Sequence, residues 1–269
     1  MRVVLVGLWC VAVACGRSEL SEPTTLTPPG VLPPTMSRPV AAVKVLLIFD
    51  TSCSTAVTDP LGQRGAAVLS LLEQLPSSDE VLVMAFAGED TVFLSRAGRI
   101  QFDAIGDLSA SDRTTLVTRL LGGITPNGTD ADATSFVAPL TVARDVIASD
   151  VRAHPGARYE VIFVSDGHPT RSEDHSLLCG SVITDLVSLA DNVRLSTVLL
   201  FEPTNEGPPC RGSFVETSCE VSVIEPRCFR SFVGADSARL RRMAELGHGT
   251  FAAYTSQSVP LDLVSLTLH

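Results

Sequence analysis

The stretch Val43-Lys44-Val45-Leu46-Leu47-Ile48-Phe49, running straight into Asp50-Thr51-Ser52-Cys53-Ser54, decides the fold. Its first seven residues are almost continuously apolar and rich in Val, Leu and Ile, as a strand buried on both faces reads. The run stops at an acid and two hydroxyls placed at every second position: Asp50, Ser52 and Ser54. Such a turn offers hard oxygen ligands, which suit Mg²⁺, Ca²⁺ or Mn²⁺ better than zinc. A buried strand launching that turn therefore marks a candidate divalent-cation site.

The same kind of run recurs at Val81–Phe86, Tyr159–Val164 and Leu195–Phe201. Between the runs lie amphipathic segments. Val68, Leu72 and Leu75 fall at i, i+4, i+7, and Phe136, Leu140, Ala143 and Ile147 continue that spacing over a longer helix. A later helix is expected over Asp236–Leu246, capped by Asp236 and stopped at Gly247, ahead of a last strand around Thr250–Tyr254. Alternating strands and helices from residue 41 to 269 predict one doubly wound α/β domain with a mostly parallel central sheet. The segment Glu202–Val233 breaks this rhythm and reads as an insertion.

In open α/β sheets, ligands bind where loops leave the carboxyl ends of the strands. Two more loops qualify. Ser165-Asp166-Gly167 follows the Tyr159–Val164 run, and Asn127-Gly128-Thr129-Asp130 precedes a helix expected to begin near Ala131. Asp50, Ser52, Ser54, Thr129 and Asp166 are thus the candidate metal residues.

Asp-x-Ser-x-Ser, a Gly-Thr before a helix and a Ser-Asp-Gly after a central strand together resemble the von Willebrand factor type A (VWA) domain with an intact metal-ion-dependent adhesion site. The resemblance covers roughly Val43 to His269, and it implies a Rossmann-like VWA fold. It also implies that Ser52 and Ser54 ligate the cation directly and Thr129 directly or through water. Asp50 and Asp166 would act mostly through water or hydrogen bonds, and a partner carboxylate, from Asp or Glu, would fill the sixth position. Family members switch affinity by moving a C-terminal helix, and Val259–His269 has room for one. Hydroxyls and waters donate little charge, so the cation stays electrophilic for such a carboxylate. Mg²⁺ keeps waters readily, which leaves one to exchange. Cys53 stands where the family usually carries Gly; its reading is a small space-filling residue, with a redox-sensitive thiol or disulfide beside the metal as the alternative.

The N-terminus reads as a targeting segment. Arg2 precedes twelve apolar residues, Val3–Ala14, too few to span a bilayer and right for a signal-peptide core. Ala12-Val13-Ala14-Cys15-Gly16 resembles the lipobox of bacterial lipoproteins, with Ala12 in place of the usual Leu; an ordinary A-x-A cleavage site is the alternative. Residues 15–40 hold repeated prolines among Ser and Thr, a semi-rigid tether that cannot bury enough apolar surface to fold. The organisation expected is therefore a signal peptide over 1–14, a tether over 15–40 and a VWA domain over 41–269 with its Cys-containing insertion at about 202–233. Cys15 would carry the lipid. Gly16 does not resemble an inner-membrane retention signal, which points to an outer-membrane lipoprotein of the bacterial envelope.

Exported proteins meet an oxidising compartment, so disulfides are expected among Cys179, Cys210, Cys219 and Cys228, with three possible connectivities. Their spacing lacks the short knuckle of a zinc site. Such bonds would pin the insertion near the metal face.

A net charge of −10 over 269 residues argues against nucleic acid or an anionic membrane surface as the main partner. Membrane attachment would come through the lipid only. His168 and His175 beside Asp166, Glu173 and Asp174 invite a hydrolase reading. No G-x-S-x-G elbow, H-E-x-x-H or Walker loop supports it. A Mg²⁺-dependent phosphoesterase is the enzymatic rival and a constitutive envelope subunit the structural one. The expectation is a non-enzymatic domain that binds a protein partner through a divalent cation, for adhesion or envelope assembly.

Overall fold

A computed structural model describes residues 42–52, 55–59, 61–96, 99–123, 134–166, 180–200, 237–254 and 261–267. The described residues fall in one compact unit, Val40–His269. The expected signal peptide, tether and insertion, with Cys15, Cys53, Cys179, Cys210, Cys219 and Cys228, lie outside them.

In chain order the elements are β1 (Val43–Asp50), a helical turn α1 (Thr55–Thr58), α2 (Gln63–Gln74), β2 (Glu80–Ala87), β3 (Asp90–Phe93) and β4 (Asp103–Ala104). There follow α3 (Ala110–Leu121), α4 (Val137–Ala153), β5 (Arg158–Ser165), α5 (Gly180–Val187) and β6 (Val193–Leu199). A helix over residues 237–246, α6, and β7 (His248–Ala253) complete the set. The sheet runs β3-β2-β1-β5-β6-β7, with β4 also paired to β2. β2, β1, β5, β6 and β7 are parallel; β3 and β4 pair antiparallel to β2 at one edge. The expected doubly wound, mostly parallel sheet is the one observed.

Alternation within each strand explains why the runs look continuously apolar. Val45, Leu47 and Phe49 of β1 join Val81 and Val83 of β2, Ile162 and Val164 of β5, and the inner faces of α2 and α3 in one core. Leu46, Ile48, Met84, Phe86, Val161 and Phe163 face the other way, onto α4, α5 and α6. Phe163 sits between Phe86 and Phe136, with ring centroids 5.4 and 4.9 Å away. Both faces of the sheet are covered, so neither face can be polar.

Several boundaries differ from the sequence reading. α4 begins at Val137, not near Ala131. Thr134 instead makes a bridge to Gly88, and the Ser135 side chain accepts from Ala138 N (3.2 Å), so the chain is still extended there and turns helical after Phe136. β6 stops at Leu199, and β3, β4, α3 and α5 were not anticipated. The C-terminal segment forms only a 3₁₀ turn, Val264–Leu266, among the described residues. Leu261, Leu263 and Leu266 there are buried in the α2/α3 core, which occupies the apolar positions a free helix would need.

Gly247 does end α6, its N–H bonded to Met243 O, but the left-handed residue after the helix is His248 (φ 56°). Gly247 is small for another reason: a Cβ would lie 2.8 Å from Leu195 O. At the opposite, amino end of the strands, buried Lys44 pairs with Glu80 and Asp150, each at 2.9 Å, and Tyr159 donates to Asp150 (2.6 Å). No helix among the described residues is long and apolar enough to cross a membrane.

Candidate metal centre

β1 lies between β2 and β5, so the chain leaves β1 toward one side first and fills the other side later. The crevice at the carboxyl ends of β1 and β5 is thus the topological switch point, where open α/β sheets bind ligands. Asp50 closes β1 and Asp166 follows β5 directly. Their register, Phe49 opposite Val164, brings both acids to that crevice.

Asp50 is fully buried and Asp166 is 2% exposed. The Asp50 carboxylate accepts from Ser52 N at Oδ1 (2.9 Å) and from Ser165 Oγ at Oδ2 (2.7 Å). Asp166 Oδ2 accepts from Thr58 Oγ1 (3.1 Å). Ser52 is 2% exposed, and its carbonyl takes the hydroxyl (2.7 Å) and N–H (3.1 Å) of Thr55, which turns the chain into α1. Thr51 ties the loop to β2, donating N–H (2.8 Å) and Oγ1 (3.0 Å) to Phe86 O. The Asp50–Ser52 turn is therefore fixed by its neighbours before any ligand arrives. Ser54 and Thr129 lie outside the described residues.

Burial pushes the Asp50 carboxyl above its ordinary value, opposed by its hydrogen bonds from Ser52 and Ser165 and by the charge of Arg64. A carboxylate held in that state gains when a cation arrives beside it. The donor set fits a hard divalent ion: two buried acids with a serine hydroxyl next to them. Among the described residues no three His, Cys, Asp or Glu side chains converge as metal ligands.

Two groups escaped the sequence reading. Asp59, after α1, accepts from Gln63 N (2.6 Å) and Arg64 N (3.2 Å), so it satisfies the first turn of α2 across Gly62, whose φ of 65° makes the bend. Arg64, 7% exposed, donates from Nη1 to Asp50 O (3.0 Å). An acid a few residues ahead of a helix is a recognisable start signal. That an arginine on the first turn would point inward carries no sequence signature.

The architecture defines a doubly wound α/β protein with a strand-end acidic site. Its structure is similar to a von Willebrand factor type A protein from Catenulispora acidiphila, at 15% identity and a TM-score of 0.51, over 81% of this chain and 39% of that one. It is also similar to proximal thread matrix protein 1 of the mussel byssus, solved with a zinc-occupied MIDAS motif, at 13% identity and a TM-score of 0.51, over 85% of this chain and 47% of that one. The chain thus spans under half the length of these two proteins. No protein-family model matches the sequence, and no curated protein does. The fold is that of a VWA domain.

Proposed function

We propose that this chain binds a protein partner through a divalent cation held at the carboxyl ends of β1 and β5. The observation that carries the reading is the pair of buried carboxylates, Asp50 and Asp166, at the switch point of the sheet with hydroxyl-bearing residues around them. Ser52 and Ser54 would contact the ion, Thr129 directly or through water, and Asp50 and Asp166 through hydrogen bonds and water. Mg²⁺ or Mn²⁺ is the expected ion, with Ca²⁺ the alternative. The bound ion would supply a positive centre for a carboxylate of the partner, in a pocket where charge attraction exceeds that in water. Asp50, with Ser52 N and Ser165 Oγ bonded to it, holds the turn in its binding geometry.

The role is binding, not catalysis, and the location is the bacterial envelope, with Cys15 lipidated and residues 15–40 as the tether. Support for export comes from the N-terminal pattern alone, and the insertion near 202–233 is the candidate for partner specificity. Calorimetric titration of Mg²⁺ and Mn²⁺ into the full chain, beside Asp50→Ala and Asp166→Ala, tests the site. Binding by the wild type and by neither variant is expected; equal binding by all three would refute it. Hydrolysis of a phosphoester panel that disappears in Asp50→Ala would replace the binding role with an enzymatic one. Loss of membrane association in Cys15→Ser is expected of the anchor.

A further inference from the structure

A cation site has no obvious use for a buried arginine, yet Arg64 stands against this one. Its Nη1 holds the carbonyl of Asp50 and its Nε lies 3.4 Å from Asp59 Oδ2, without a hydrogen-bond partner for Nε among the described residues. Burial pulls the guanidinium below its ordinary proton affinity, and Asp59, Asp50 and Asp166 pull it back up, so all three acids share its field. Asp50, Asp59, Asp166 and Arg64 are each 7% exposed or less, which leaves water little part in balancing them.

The charges then decide what the site accepts. Three of these side chains are acids and one is a guanidinium, so Arg64 opposes the cation that the acids attract. Without the guanidinium the site would hold its cation harder and attract an incoming carboxylate less. We propose that Arg64 is a specificity-determining residue: its buried charge loosens the hold on the cation and keeps the loaded site open to an anionic ligand. This rests on the cation-binding reading above. Cation affinity and anion affinity are thereby traded against each other, and Asp59 sets the opposite bias.

The test measures both affinities on the full chain. Mn²⁺ binding is read by calorimetry, and acetate binding to the Mn²⁺-loaded protein by the fall in water-proton relaxation as inner-sphere water is displaced. A unit charge about 10 Å from a divalent ion shifts its affinity about fourfold even in a water-like dielectric, and that of a monovalent ligand about twofold. Arg64→Gln, which keeps a donor and removes the charge, should therefore bind Mn²⁺ at least about fourfold tighter and acetate at least about twofold weaker. Arg64→Lys should return both toward wild type. Asp59→Asn, which retains an acceptor for the first turn of α2, should move both the other way and keeps the idea testable if Arg64→Gln does not fold. Opposite shifts in the two affinities support the proposal, because a merely structural role weakens both together. Weakening of both in Arg64→Gln with no recovery in Arg64→Lys, or no change in either, overturns it while leaving the cation site standing. A wild type that binds no Mn²⁺ overturns the cation reading and this inference with it.

Discussion

Replacing Ser165 by alanine probes the site through a residue that need not touch the ion. Ser165 is fully buried at the end of β5, and its hydroxyl donates to Asp50 Oδ2 at 2.7 Å. Alanine leaves Asp50 with its bonds from the Ser52 N–H and side chain and takes away this donor in a buried place. A hydrogen bond to a charged group contributes about 1.5–3 kcal/mol, so Ser165→Ala should cost about 2 kcal/mol of stability. Urea denaturation followed by far-UV circular dichroism, in EDTA, measures this. The loss should shrink by at least about 1 kcal/mol when Ser165→Ala is made on an Asp50→Ala background, because the two residues contact each other and their effects are coupled. Cation affinity should fall as well, since Asp50 loses one of the bonds that aim it. A Ser165→Ala protein within about 0.5 kcal/mol of wild type, the usual range for an uninvolved surface change, would show that Asp50 is not held in this way.

Other consequences follow from the packing and the amino-end charges. Gly249→Ala drives a Cβ against the Leu195 carbonyl and to 2.7 Å from Ser196 N, backbone that can yield only if β7 separates from β6. A loss of about 3 kcal/mol in urea melts is expected, from overpacking together with strained ladder bonds. Gly156→Ala, which meets nothing within 4 Å, should be neutral or stabilising by about 0.5 kcal/mol, and equal losses in the two would refute the steric account. Phe163→Ala empties the centre of the Phe86–Phe136 cluster and should cost about 3–5 kcal/mol by the same assay. Burial pushes the Asp150 carboxyl up, but bonds from Tyr159 and Lys44 and the charges of Lys44 and His154 outweigh it and hold it below the ordinary value. A depressed folded-state value contributes stability that is present above the unfolded value and lost as pH falls below about 4. Asp150→Asn should therefore flatten the fall in stability between about pH 5 and 3, and an unchanged acid limb would contradict this.

The sequence displayed the sheet because its strands bury both faces. Val45 and Leu46 point oppositely and both meet helices, so the middle of β1, Val45–Phe49, is apolar throughout. β3 and β4 were invisible for the converse reason: they are four and two residues long, half-exposed, and lie on one edge, where no unbroken apolar run is required. α3 left a local trace. Ser109 and Asp112 form a reciprocal capping box, followed by Leu116 and Leu120 one turn apart on the buried side. The acids of the site were legible because strand ends fix where they go. Arg64 was not, since a first-turn arginine is ordinarily solvated and only the position of Asp59 and the Asp50 carbonyl turns it inward.

The two ends of the same strands balance their charges in different ways. At the amino end Lys44 sits among Glu80, Asp150 and His154, but Glu80 and Asp150 side chains are 27% and 18% exposed, so water shares the excess negative charge. That cluster is complete without a ligand. At the carboxyl end three acids and one arginine are closed off at 7% exposure or less, so water has little part in balancing them. Burying uncompensated charge costs several kcal/mol per ion, far more than a marginally stable domain can carry without a compensating gain. Hydrogen bonds from Ser52, Thr58 and Ser165 help hold the carboxylates in place. Under the proposed function, a small cation with open coordination sites would add positive charge to what those bonds supply.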